Sequence, residues 1–86
     1  MQRPWVSSQA YGEALALLIQ VRMERRVSQR ELAKRLGKPR SFVTKIEARE
    51  RRIDIVEFVA IARALGVQPG MLMTQIAELL PPKPDI

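Results

Sequence analysis

SQRELAKRLGKPRSFVTKIE, Ser28 to Glu47, reads as two short helices joined at a glycine. The first is predicted from Ser28 to Leu36. Ser28 supplies an N-cap, Glu31 three residues on completes a capping box, and Val27 with Leu32 makes a hydrophobic staple. Gly37 turns the chain. The second helix begins near Pro39, which suits a first-turn position because its missing N–H has no helical partner there. It runs to about Glu47. Leu32, Ala33, Leu36, Val43 and Ile46 point inward, with Phe42 at the edge of the packing. Arg30, Lys34, Arg35, Arg40, Ser41, Thr44 and Lys45 are left outside.

Three more helices flank this pair. One runs from a Ser8 cap to about Arg25. Tyr11, Ala14, Leu18, Val21 and Arg22 share a face of it at 100° per residue. Gly12 weakens it, and Leu15, Ile19 and Met23 form a second apolar stripe. So small a domain is not expected to bury both stripes, so Leu15, Ile19 and Met23 stand as a candidate partner surface. After the charged turn Ala48 to Arg52, a fourth helix repeats the start logic of the second. Asp54 caps, Glu57 sits at the third position, and Ile53 staples to Phe58. Phe58, Ile61, Ala62 and Leu65 form its inner face, and Gly66 ends it as a left-handed C-terminal residue. A fifth runs from near Pro69 to Leu80. Leu72, Ile76 and Leu79 reach the core, leaving Met71, Met73 and Leu80 as a contact surface. Residues 1–7 form an N-terminal arm whose Trp5 and Val6 fold back on the core. The domain spans 8–80, and the prolines after it leave a short polar tail, 81–86. The fold class is all-α, one five-helix domain.

Charge is concentrated, not spread. The 86 residues carry net +6. From Arg22 to Arg52, twelve basic residues face four acids, a local +8, and the remainder sums to −2. Such a segment points to a polyanion, with nucleic acid before acidic lipid. The chain has no histidine and no cysteine, which excludes disulfides, Cys/His zinc sites and His-assisted nucleophiles. There is no Gly-rich phosphate loop, and the acids lie singly on caps and surfaces, so an enzyme is not expected. No cofactor is implied. No apolar run is long enough to span a membrane, and the N-terminus lacks a signal-peptide pattern. Both features, with the absent cysteine, fit a cytoplasmic protein.

The run Val27 to Gly37 (VSQRELAKRLG), then Ser41 to Glu47 (SFVTKIE) and Ala64-Leu-Gly-Val67, resembles the Cro/phage-repressor helix-turn-helix family, often called the XRE family. The likeness covers roughly residues 15–76. It implies a lambda-repressor-like DNA-binding domain with the helix-turn-helix, about residues 29–48, at helices 2 and 3. Helix 3 would enter the major groove. By position, Gln29 matches a glutamine that contacts DNA and braces the start of the reading helix. Arg40 and Ser41 match base-reading positions, and Lys45 a further base or phosphate contact. Arg22 and Glu47 match a structural ion pair. The loop from Ala48 to Arg51 corresponds to one that touches the sugar–phosphate backbone. Two departures stand out. Pro39 replaces the family's Ser or Thr cap, and Ala48-Arg49 replaces a frequent Asn-Gly.

The expected DNA-binding residues are therefore Gln29, Lys38, Arg40, Ser41, Thr44, Lys45, Arg49 and Arg51. Arg25, Arg30 and Lys34 would add sequence-blind affinity through counterion release. The expected function is a transcriptional repressor that binds a palindromic double-stranded operator as a homodimer. The alternative is a protein-binding adaptor, an antitoxin or antiactivator, engaging its partner through Leu15, Ile19 and Met23 or through the fifth helix. RNA binding is disfavoured because Phe42 is the basic segment's one aromatic residue.

Overall fold

Three of the five helices start on a side chain suited to capping. In the computed structural model, which describes residues 8–86, the helices are α1 Gln9–Glu24, α2 Gln29–Leu36, α3 Arg40–Glu47, α4 Ile55–Ala64 and α5 Pro69–Leu79. The expectations for residues 1–7, including Trp5 and Val6, lie outside the described residues. Ser8 Oγ accepts from Tyr11 N–H, and Ser28 Oγ from Glu31 N–H, both at 3.0 Å. Asp54 and Glu57 complete a reciprocal capping box on α4. On α2 only half of the expected box forms. The Glu31 carboxylate takes the Arg35 Nε at 2.9 Å instead, one turn along the helix. Pro39 is the N-cap of α3 and not its first helical residue, with ψ 154° and no side-chain cap bond.

Four helices end alike. Each closes through a left-handed residue whose successor donates back into the last turn. On α2 and α4 that residue is Gly37 (φ 66°) and Gly66 (φ 76°), where no Cβ opposes the conformation. On α1 and α3 it is Arg26 (φ 57°) and Arg49 (φ 63°). A non-glycine there costs about 1–2 kcal/mol, so the surroundings must hold each one in place.

The core draws on every helix: Leu15, Leu18 and Val21, then Leu32 and Ala33, Val43 and Ile46, Ile61 and Ala62, Leu72 and Ile76, with Val27 and Leu65 from the connections. Leu72 has no exposed area, so its truncation to alanine would cost about 2–5 kcal/mol. Two expectations are corrected. Leu15 does not belong to a free stripe: it is a core residue, 4% exposed. It lies between Phe58 and Ile76 on one side and Val43 and Ile61 on the other. Packing on two sides of α1 buries a wider arc than one stripe. Ile19 sits at the core's margin, and Met23 alone of the three stays well exposed. On α5 the roles of two leucines are exchanged. Leu79 is exposed and Leu80 packs on the core, because the chain leaves the helix at Leu80 with ψ 151° and turns that side chain back.

The polar tail also folds back. The N–H groups of Gln9 and Ala10 donate to the two carboxylate oxygens of Asp85, both at 2.9 Å. These bonds, Ala10's first and then Gln9's, hold the Asp85 carboxyl below the usual carboxylate range. The tail thus occupies N–H groups that helix geometry leaves without partners.

Candidate nucleic-acid interface

The site is built on α3, and α3 is anchored at its C-terminal end. The guanidinium of Arg22 donates twice to Glu47, from Nε at 2.7 Å and Nη2 at 2.9 Å, and once to the Val27 carbonyl at 2.8 Å. Both side chains of the pair are only 12% exposed. Gln29 adds its amide, donating to Glu47 Oε1 at 2.9 Å. The expected Arg22–Glu47 pair is therefore present, and it joins α1 to the end of α3. Gln29 braces the end of α3 and not its start. Its side chain, with Arg22, Ser28, Arg30 and Arg40, lines an open hollow between α2 and the first turn of α3.

The outward side of α3 faces solvent from its first turn to its last. Arg40, Ser41 and Lys45 are exposed, and no hydrogen bond or ion pair ties their side chains to the described residues. They recur at the spacing that places them on one face of a helix. Thr44 lies between them, half-buried, its hydroxyl donating to the Ser41 carbonyl at 3.2 Å. Without a side-chain cap, the N–H groups of Arg40 and Ser41 are left unpaired at the start of α3, while that of Phe42 donates to the Pro39 carbonyl at 3.0 Å. Arg30 and Lys34 are exposed cations on α2. Lys38, also exposed, has its ammonium 5.5 Å from the centre of the Phe42 ring. Arg35 is exposed as expected, and it also donates to the Ala64 carbonyl at 2.8 Å, at the C-terminal end of α4.

The loop after α3 behaves differently. Arg49 is half-buried, and its guanidinium donates to the Ser8 carbonyl at 3.2 Å. It lies so close to α1 that a Cβ on Gly12 would come within 2.9 Å of it. The weak spot in the first helix is thus the place where this arginine passes. Arg51 pairs with Glu57 at 2.9 Å and sits 4.9 Å over the Phe42 ring. Arg52 lies 4.6 Å over the ring of Tyr11, whose hydroxyl accepts from the Ile53 N–H at 3.2 Å. Burial pushes the Tyr11 phenol above its ordinary pKa. Of the eight expected contact residues, Arg40, Ser41, Thr44 and Lys45 share α3, and Lys38 precedes it. Gln29 lies beside them, while Arg49 and Arg51 are turned to α1 and α4. Sequence spacing could not have revealed this, since the acceptor of Arg49 is 41 residues away.

No group of three or more His, Cys, Asp or Glu side chains among the described residues could hold a metal ion. Among the described residues, no single helix is long and apolar enough to cross a membrane. The helix-turn-helix family matches residues 18–72. No curated protein matches the chain. Among solved structures, an XRE-family like protein from Pseudomonas syringae pv. tomato is 40% identical, over 84% of this chain and 88% of that one, with a TM-score of 0.79. A hypothetical transcription factor from Neisseria is 27% identical, over 81% and 85%, at 0.64. The clp gene regulator ClgR from C. glutamicum, 22% identical over 85% and 96%, has the same fold at 0.70.

Proposed function

Because this chain belongs to the XRE-family helix-turn-helix proteins, we propose that it is a sequence-specific double-stranded DNA-binding transcriptional regulator, a repressor acting as a cytoplasmic homodimer. One observation carries the reading: Arg40, Ser41 and Lys45 project from one exposed face of a helix whose far end is fastened by Arg22, Glu47 and Gln29. A helix held at its rear with unpaired polar groups at its front is equipped to be read into a groove. Arg40 can donate twice to guanine O6 and N7, worth about 1–3 kcal/mol of discrimination. Ser41 accepts several bases. Lys45 serves base or phosphate, while Arg30, Lys34 and Lys38 supply phosphate contacts. Gln29 and Thr44 complete the face. The test is binding to duplexes selected from a random pool against random duplexes, at several salt concentrations. A preference that persists as salt rises is expected; equal binding to both at every salt would overturn the reading.

The homodimer is supported by the outer face of α4. Ile55 and Val56 are 82% and 74% exposed, and with Val59, Ala60 and Arg63 they line an open apolar hollow. Asp54 and Arg63, both exposed, stand at opposite ends of the helix. Antiparallel packing of two copies would pair each Asp54 with the partner's Arg63 around an apolar centre, as a two-fold interface requires. The operator would then be a near-palindrome with half-sites about 34–36 Å apart. Val56→Asp should convert the dimer to a folded monomer in sedimentation. A wild-type monomer at high concentration would overturn the dimer and favour the second reading, a protein-binding adaptor. That reading rests on the exposed Met71 and Met73 of α5 and on Met23 of α1.

A further inference from the structure

We infer that Arg51 is a positioning residue for the reading helix, acting through Phe42, and not a phosphate contact. The inference rests on α3 being the helix that reads DNA. Arg51 lies in the basic loop, where a phosphate contact is the simple expectation, but its side chain is committed elsewhere. Nη2 pairs with Glu57 Oε2 at 2.9 Å. The guanidinium carbon lies 4.9 Å from the centre of the Phe42 ring. Nη1 is buried and has no hydrogen-bond partner. A phosphate would compete with the ring and the carboxylate for the same guanidinium, whose Nη1 is already enclosed.

The pair it makes is itself fixed. The other oxygen of Glu57 accepts from the Asp54 N–H at 3.0 Å, and the Asp54 carboxylate accepts from the Glu57 N–H at 2.7 Å. The capping box therefore sets the carboxylate, the carboxylate sets Arg51, and Arg51 covers Phe42. Phe42 follows Arg40 and Ser41 directly. The neighbour that α3 packs on most extensively is α2, so this stack ties it to α4. Together with Glu47 at the rear, it fixes the rotation of α3 about its own axis. That rotation decides which side chains meet the base edges. Lys38, reaching the same ring at 5.5 Å from an exposed position, cannot replace a stacked guanidinium held by a carboxylate.

The test uses Arg51→Ala, Arg51→Met, Phe42→Leu and the double variant Phe42→Leu/Arg51→Ala. The probes are a duplex recovered by selection with the wild type and a random duplex of equal length. A positioning role predicts that Arg51→Ala and Arg51→Met lower the preference for the selected duplex about fivefold. The slope of log affinity against log salt should stay unchanged, and Phe42→Leu should mimic the effect. The double variant should lose no more preference than Phe42→Leu alone. A slope shallower by about 0.9, the signature of one lost phosphate contact, would overturn the inference. So would unchanged preference. Urea denaturation of the same four proteins gives a readout without DNA: losses from Phe42 and Arg51 that simply add would overturn the coupling. If the wild type shows no preference for any duplex, the DNA-binding reading fails, and the denaturation cycle alone decides whether Arg51 acts through Phe42.

Discussion

Two groups of cations, adjacent in the chain, meet opposite fates. Arg30, Lys34, Arg40 and Lys45, on α2 and α3, extend into solvent. Arg49, Arg51 and Arg52, on the loop that follows, lie against a carbonyl, a carboxylate and two aromatic rings. Both groups belong to the same basic run, and a charge count treats them equally. The difference lies in what stands within reach. Helices α2 and α3 turn their charged sides away from the core, where water is the main neighbour. The loop crosses the N-terminal ends of α1 and α4, where Ser8, Tyr11 and the α4 capping box present acceptors and π-faces. A basic segment is not the same thing as a basic surface. Arginine in particular stacks and forks, so it is readily drawn into structure.

Breaking the anchor behind the exposed group should have the largest effect. Glu47→Ala leaves the Arg22 guanidinium without its carboxylate, at 12% exposure, and is expected to cost about 3–5 kcal/mol. In a domain of this size the melting temperature should fall by more than about 10 °C; an unchanged melt would mean the pair carries no weight. Next is the sharpest contrast between the groups. Arg40→Ala should leave the melt unchanged while reducing discrimination for the selected duplex by about 1–3 kcal/mol. Arg49→Ala should do the reverse, losing about 1 kcal/mol of stability with its bond to Ser8, with the salt dependence of binding intact. Arg49→Gly should recover most of that loss, because it relieves the left-handed conformation at φ 63°. Equal melts for the two Arg49 variants would show that the backbone there is unstrained.

The smallest effect tests the clasp between tail and α1. Hydrogen bonds from Ala10 and Gln9 lower the Asp85 pKa in the folded protein. Its contribution to stability is therefore present above the unfolded carboxylate pKa and is lost as pH falls through the depressed folded value. The melting temperature of the wild type should drop more on acidification than that of Asp85→Asn. Parallel curves would mean that the tail contributes nothing.

Much of the fold was legible in the chain. Ser8, Ser28 and Asp54 mark helix starts, Gly37 and Gly66 mark ends, and the inward faces of α2 and α3 follow from spacing. Pro39 misled by one residue, since a proline fits a first-turn position and a cap position equally well in sequence. Leu15 misled because periodicity shows which residues share a face but not how many faces are packed. Gln29 was recognisable as important, yet its partner at the far end of α3, 18 residues on, was not.

What the sequence determined by itself is local: caps, staples and helix ends depend on residues three to five positions apart, so they can be read along the chain. Which cations remain available was decided only by the tertiary structure. Arg49 meets Ser8 across 41 residues and Asp85 meets Ala10 across 75. Such partners come together only when the helices pack, and a charged side chain is spent or left free according to the acceptor that packing places beside it.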